Sequence, residues 1–127
     1  MSRKKMIEMD QKLATSKITP ELIDYVVNKI VKAIDPEKII LFGSYARGDY
    51  KKDSDLDLFI IKDGNLNSRM MRRKIADLLW GRKFPLDLFV RTKKEVEWNF
   101  RAKNPFYLHH IFKDGKILYE KKIQKKP

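Results

Sequence analysis

Three short apolar runs constrain the fold of this chain more than any other feature of its sequence. They lie within residues 38–42, 55–61 and 85–90 and consist mainly of Ile, Leu, Phe and Val. Each run is short and rich in residues that favour strands, so each predicts a buried β-strand. None approaches the ~18 consecutive apolar residues that a membrane-spanning helix requires, and no membrane association is expected.

Helical patterns occupy the sequence around these runs. Thr19-Pro20-Glu21 is a strong helix start, because Thr suits the N-cap, Pro the first helical position and an acid the first turn. Apolar residues then recur every three or four positions for about four turns, and the helix is expected to end near Asp35-Pro36. Similar signals predict helices at about 70–80, 93–103 and 105–112, and an edge strand at 116–120. Strands alternating with helices predict an α/β (α+β) fold, a mixed twisted β-sheet packed by helices.

The length of 127 residues is enough for one domain but not for two, because protein domains contain roughly 150 residues on average. We expect a single domain at 18–120, flanked by basic, flexible tails at 1–17 and 121–127. The chain has no Cys, which excludes disulfides, thiolate catalysis and Cys-ligated metal sites. No apolar signal core follows the basic N-terminus, so a cytoplasmic location is expected.

The chain is strongly basic, since 29 Lys and Arg against 17 Asp and Glu give a formal net charge of +12. Such a charge attracts polyanions, which include nucleic acid, nucleotides and acidic partner proteins. It is equally typical of a Lys-rich solvated surface. The sequence contains neither zinc-finger spacing nor the aromatic and basic motif of an RNA-binding sheet. The charge alone therefore leaves the class of partner open.

Three carboxylates stand out because they interrupt predicted strands. Asp55 and Asp57 are two positions apart in one strand, so their side chains point to the same face. Asp87 lies within another apolar run, where an acid is costly without a partner. If the two strands are neighbours, the carboxylates meet, and such oxygen ligands suit Mg²⁺ or Mn²⁺. The alternative is a surface Asp-x-Asp pair and an Asp87 that forms an ion pair.

The loop after the first predicted strand has the chemistry of a phosphate site. Gly43 lacks a Cβ, so a phosphate can approach the backbone there. Ser44 offers a hydroxyl and a backbone N–H at the start of a predicted helical turn, and Arg47 adds a positive charge. Beside a divalent-cation cluster, such a loop suits a metal–nucleoside triphosphate. Taken alone, Gly43-Ser44 is more typical of an ordinary strand-ending turn.

The combination resembles the nucleotidyltransferase superfamily of DNA polymerase β type. Its signature is Gly-Ser, a spacer, Asp-x-Asp on a strand and a later carboxylate on a neighbouring strand. The matching positions here are Gly43, Ser44, Asp55, Asp57 and Asp87. The run Gly-Ser-Tyr-Ala-Arg-Gly is similar to the minimal nucleotidyltransferases, small proteins often encoded beside a HEPN-domain ribonuclease toxin, to which they act as antitoxin.

The resemblance covers roughly residues 20–120 and implies the palm fold of that superfamily and a set of site residues. The implied catalytic and metal-ligating residues are Asp55, Asp57 and Asp87, and the implied nucleotide-binding residues are Gly43, Ser44 and Arg47. By this resemblance the first two Asp bridge two Mg²⁺ ions, with Mn²⁺ as an alternative. Asp87 holds the ion nearer the attacking group.

The resemblance also implies an activity and a partner. The enzyme would move a nucleoside monophosphate, AMP from ATP or the equivalent from another NTP, onto a hydroxyl. The implied acceptor is a Tyr of a HEPN-family toxin, which would make the chain an antitoxin.

Three other functions stay open at this point. The chain could be a non-catalytic antitoxin that masks its partner by contact, or a basic nucleic-acid-binding module. It could also transfer AMP to a small molecule such as an aminoglycoside, although that normally needs a further domain. Oligomeric state and base preference are left open.

Overall fold

A computed structural model describes residues 10–122 and contains one four-stranded mixed sheet. Its strands, in the spatial order β3-β2-β1-β4, are β1 (Lys38–Phe42), β2 (Leu56–Ile61), β3 (Leu86–Arg91) and β4 (Lys116–Glu120). β1 is antiparallel to both β2 and β4, whereas β2 and β3 are parallel. The sheet confirms the predicted fold class, and β4 lies at an edge as expected.

Helices cover both faces of this sheet. They are α1 (Pro20–Ile34), α2 (Ser44–Arg47), α3 (Ser68–Leu78), α4 (Lys93–Arg101) and a π-helix (Phe106–Lys113). The predicted last helix thus forms with π geometry, in which the backbone N–H of Asp114 donates to the carbonyl of His109 five residues earlier. Within the described residues, no helix combines the length and the apolar composition that crossing a bilayer would need.

Helix α1 begins and ends where its sequence signals predict. The Thr19 hydroxyl accepts a hydrogen bond from the backbone N–H of Leu22 at 3.1 Å, and Pro20 occupies the first helical position. The helix stops at Asp35, whose φ of 49° is left-handed, directly before Pro36. These signals set the bounds of α1, and its buried apolar residues pack it over one face of the sheet.

Alternation along β2 divides the core into two layers. Leu58 and Ile60 belong to the layer packed by α1 and α3, whereas Phe59 and Ile61 belong to the layer packed by α4 and the π-helix. Because successive strand residues point to opposite faces, Asp57 shares the face of Phe59. The Asp57 carboxylate therefore lies on the π-helix side of the sheet.

The described part of the expected N-terminal tail packs against the domain. Leu13 is fully buried, and the Asp10 carboxylate accepts hydrogen bonds from the Tyr25 hydroxyl and, at 2.9 Å, from the Lys29 ammonium group. The domain boundaries at 18 and 120 stay a prediction. The outer parts of both expected tails, 1–9 and 123–127, lie outside the described residues.

We predict that Leu13→Ala lowers the free energy of unfolding by about 2–5 kcal/mol, because it removes fully buried methyl groups and leaves a cavity. Urea denaturation measures this change. Exposed Lys17→Ala is the matched control and should change stability by less than about 0.5 kcal/mol. Equal, small effects of both substitutions would mean that residues 10–17 add nothing to the core.

Candidate active site

The parallel pairing of β2 and β3 brings the predicted acidic residues together. Asp57 lies directly opposite Asp87 in the register of the two strands, and Asp55 immediately precedes β2. One carboxylate oxygen from each of the three side chains lies within 4.8 Å of the others. We call these three residues the acidic cluster. Their convergence agrees with the spacing argument, while their catalytic roles remain a prediction.

Gly43 closes one side of the acidic cluster. It follows Phe42, the β1 residue paired with Asp57, and its φ of 75° is left-handed. A Cβ at this position would overlap the Oδ2 atom of Asp57. Two independent constraints therefore select glycine here, a positive φ and the close approach of a carboxylate.

Helix α2 presents the other two predicted nucleotide-binding residues next to this turn. Ser44 is its first residue, and the Gly43 carbonyl accepts hydrogen bonds from the N–H groups of Ala46 and Arg47. Arg47 is exposed, and its Nε donates to the Oδ2 of Asp49 at 3.2 Å. The structure thus brings Gly43 and Ser44 beside the acidic cluster, and Arg47 is close enough to influence Asp57 electrostatically.

Burial is the largest influence on the titration of Asp57. Burial, followed by the neighbouring charges of Asp87 and Asp55, raises the pKa of Asp57 to about 6, and the positive charge of Arg47 opposes this shift. Among residues 10–122, no Lys or Arg forms an ion pair with any carboxylate of the acidic cluster. Three crowded carboxylates without a cationic partner fit a divalent metal ion that takes oxygen ligands.

An aromatic group lies beside the acidic cluster on the same sheet face, and sequence reasoning missed it. The ring centroids of Phe42, Phe89 and Phe106 lie 5.2–5.5 Å apart. Phe42 pairs with Asp57, and Phe89 is two residues after Asp87 on the same face. The rings provide an apolar surface beside the partly buried carboxylates. Strand alternation would have placed Phe89, whereas Phe106 depends on the packing of the π-helix.

Comparison with known proteins identifies the family. The family described as polymerase beta nucleotidyltransferase matches residues 22–124. Since this match covers most of the chain, the chain belongs to the polymerase β-type nucleotidyltransferase family. A protein of Methanocaldococcus jannaschii, named as a predicted protein adenylyltransferase, is 33% identical over 84 residues, which are 65% of this chain and 78% of that protein.

Two solved structures share the fold. A predicted nucleotidyltransferase from Sulfolobus solfataricus matches with a TM-score of 0.54 and 21% identity, over 79% of this chain and 78% of that chain. A chain of a toxin–antitoxin complex crystallised with AMP-PNP matches with a TM-score of 0.50 and 21% identity, over 77% of this chain and 73% of that chain. At these identities the matches confirm the nucleotidyltransferase fold.

We predict that Gly43→Ala weakens Mn²⁺ binding at least about tenfold, because the new methyl group displaces the Asp57 carboxylate. Titration followed by electron paramagnetic resonance measures the affinity. Gly48→Ala is the matched control: Gly48 also has a positive φ, but a Cβ there would meet no atom within 4 Å. Equal Mn²⁺ affinities of the two variants would contradict a steric effect on Asp57.

We predict a pH-dependent stability difference between the metal-free protein and Asp57→Asn. The folded pKa of Asp57, about 6, lies above its ordinary 3.8, which means that the ionised carboxylate is less stable in the folded protein than in the unfolded chain. The contribution of Asp57 to the free energy of unfolding is therefore highest below 3.8, where Asp57 is protonated in both states, and it falls as the pH rises through about 6. Asp57→Asn should therefore gain more stability relative to wild type at about pH 7.5 than at about pH 5. Urea unfolding in the presence of a chelator measures this, and a pH-independent difference would refute it.

Proposed function

We propose that this protein is a Mg²⁺-dependent adenylyltransferase that moves AMP from ATP onto a hydroxyl of a partner protein. The proposed acceptor is a Tyr of a HEPN-family toxin, and the modification would make the chain an antitoxin. The observation that carries the proposal is the convergence of the three carboxylates beside the Gly43-Ser44 turn. Such an arrangement suits the binding of a metal–nucleoside triphosphate.

The relatives support two parts of this proposal, a protein as the acceptor of AMP and a role as an antitoxin. The Methanocaldococcus jannaschii protein is named for adenylyl transfer to protein, and one structural match comes from a toxin–antitoxin complex crystallised with AMP-PNP. Transfer of AMP from ATP onto a partner protein would account for both observations.

In the proposed reaction the acidic cluster holds the divalent ions. Asp55, Asp57 and Asp87 would together supply the carboxylate ligands. Bound there, the ions would neutralise the triphosphate and the leaving pyrophosphate and would lower the pKa of the acceptor hydroxyl. The raised pKa of Asp57, about 6, still leaves that side chain mainly ionised at neutral pH, as a metal ligand must be.

The residues of the turn would position the nucleotide. The backbone at Gly43 admits the β- and γ-phosphates, the Ser44 hydroxyl donates to them, and Arg47 adds positive charge. The acceptor oxygen forms a bond to the α-phosphorus as the bond to the pyrophosphate oxygen breaks. Asp87 accepts the proton from the attacking hydroxyl, so the products are a nucleotidyl ester and pyrophosphate.

Incubation with ATP, Mg²⁺ and the product of the neighbouring gene tests this function. Intact-mass spectrometry should show one adenylyl group on that protein. Asp57→Ala should abolish the transfer, because it removes a metal ligand, whereas exposed Asp77→Ala on α3 should leave the rate unchanged within about twofold.

Two results would contradict the proposal. One is an unmodified neighbour with the wild-type protein. The other is an Asp57→Ala variant that still neutralises the toxin, which would favour a non-catalytic antitoxin that acts by contact.

A further inference from the structure

A large groove lies at the same end of the sheet as the acidic cluster. Its volume is about 980 Å³, and its lining comes from residues 16–20 at the start of α1, from Tyr45 of α2, from residues 50–53 in the loop before β2 and from Pro85 just before β3. This volume far exceeds the ~30 Å³ share of a water molecule, so the groove could hold several side chains. None of the predicted nucleotide-binding residues lines the groove.

Three segments of the groove wall continue directly into the site. Tyr45 follows Ser44, Asp53 precedes Asp55 by two residues, and Pro85 lies beside β3. Two residues of extended chain span about 7 Å. Ile18 and Tyr45 of the groove pack against the layer on the α1 side of the sheet. A polypeptide seated in the groove would therefore pass around the end of the sheet, over these short connections, to place an adjoining side chain at the acidic cluster.

The groove is held in shape by contacts within its own wall. The Tyr45 and Tyr50 rings stack with their centroids 4.4 Å apart and an interplanar angle of 11°. The Lys51 N–H donates to the Ser54 hydroxyl at 2.7 Å, and the Ser54 N–H donates to the Lys51 carbonyl at 3.1 Å. A preformed wall lowers the ordering cost of binding a partner.

The chemistry of the groove favours an acidic polypeptide. Ile18, Pro20 and Pro85 give it apolar walls, while its charged residues are three lysines and one acid. These are Lys17, Lys51, Lys52 and Asp53. Within the described part of the chain, none of the three lysines forms an ion pair, so all three could pair with partner carboxylates.

An acidic polypeptide must also be weighed against two other occupants of the groove, a second copy of this chain and RNA. A second copy of this chain would bring another net charge of +12 against the first, which disfavours self-association through a basic groove. Ile18, Pro20 and Pro85 give the groove aliphatic and proline surfaces that suit the side chains of a polypeptide. Its lysines and its stacked Tyr45 and Tyr50 are features that RNA-binding grooves also use, so RNA is the alternative occupant that the binding test below distinguishes.

We propose that this groove docks an acidic segment of the acceptor protein and thereby presents the acceptor hydroxyl to the acidic cluster. The proposal rests on the proposed function, because it identifies the groove with the acceptor site of that reaction. The lysines give electrostatic selection, and the apolar walls bind the side chains between the acids.

Binding of labelled copolymers in the absence of nucleotide tests the docking step. Fluorescence anisotropy should show that a random Glu/Tyr copolymer binds and that a Lys/Tyr copolymer does not. Lys51→Glu combined with Lys52→Glu should weaken the binding about tenfold. The matched control, Lys32→Glu combined with Lys94→Glu, makes the same change in net charge on exposed helix residues outside the groove and should stay within about twofold.

Three results would overturn the docking proposal: no binding of the Glu/Tyr copolymer, equal weakening by the groove and control variants, or tighter binding of polyuridylate that the groove variant alone weakens. The last result would assign the groove to RNA. Circular dichroism and unchanged ATP affinity of the groove variant establish that it is folded.

The two proposals fail separately. Asp57→Ala should bind the Glu/Tyr copolymer with wild-type affinity while transferring no AMP. If the wild-type protein binds the copolymer but does not transfer AMP to the neighbouring gene product, the proposed function alone is contradicted. If the groove variant transfers AMP with an unchanged KM for the acceptor, the docking proposal alone is contradicted.

Discussion

In-register parallel pairing of β2 with β3 sets two carboxylates side by side at the end of a buried sheet. Asp57 and Asp87 repel each other, Asp55 adds a third charge, and burial raises the pKa of Asp57 to about 6. The fold tolerates this unfavourable arrangement because apolar pairs continue along the same two strands toward Ile61 and Arg91. Divalent cations would relieve the repulsion, so the strain of the metal-free cluster and its capacity for metal have the same origin.

Both faces of the sheet carry a buried apolar layer, and one of them also carries the acidic cluster. One face carries the larger apolar layer, packed by α1 and α3, and the buried Leu13 extends that layer beyond the predicted start of the domain. The opposite face carries the acidic cluster at one end and the π-helix beside it. Gly43 links the sheet to the acidic cluster, since it directly follows β1, precedes helix α2 and leaves room for the Asp57 carboxylate.

Much of this architecture could be predicted from sequence because its signals are local. Strand runs, the Thr19-Pro20 helix start and the i, i+2 spacing of Asp55 and Asp57 each act over a few residues. The meeting of Asp57 with Asp87 needed the additional assumption that their strands are neighbours. The burial of Leu13 and the packing of Phe106 are contacts between distant segments, and they leave no periodic signal. The stack of Tyr45 on Tyr50 is local, but it depends on the course of an irregular loop that no periodic pattern describes.

We propose that the three carboxylates act as one metal site facing the glycine–serine turn. Anomalous diffraction from a crystal grown with Mn²⁺ and a non-hydrolysable ATP analogue tests this proposal. We expect manganese peaks in contact with Asp55, Asp57 and Asp87 and a triphosphate against Gly43 and Ser44. Manganese bound elsewhere, or a triphosphate held by the surface lysines away from that turn, would contradict it.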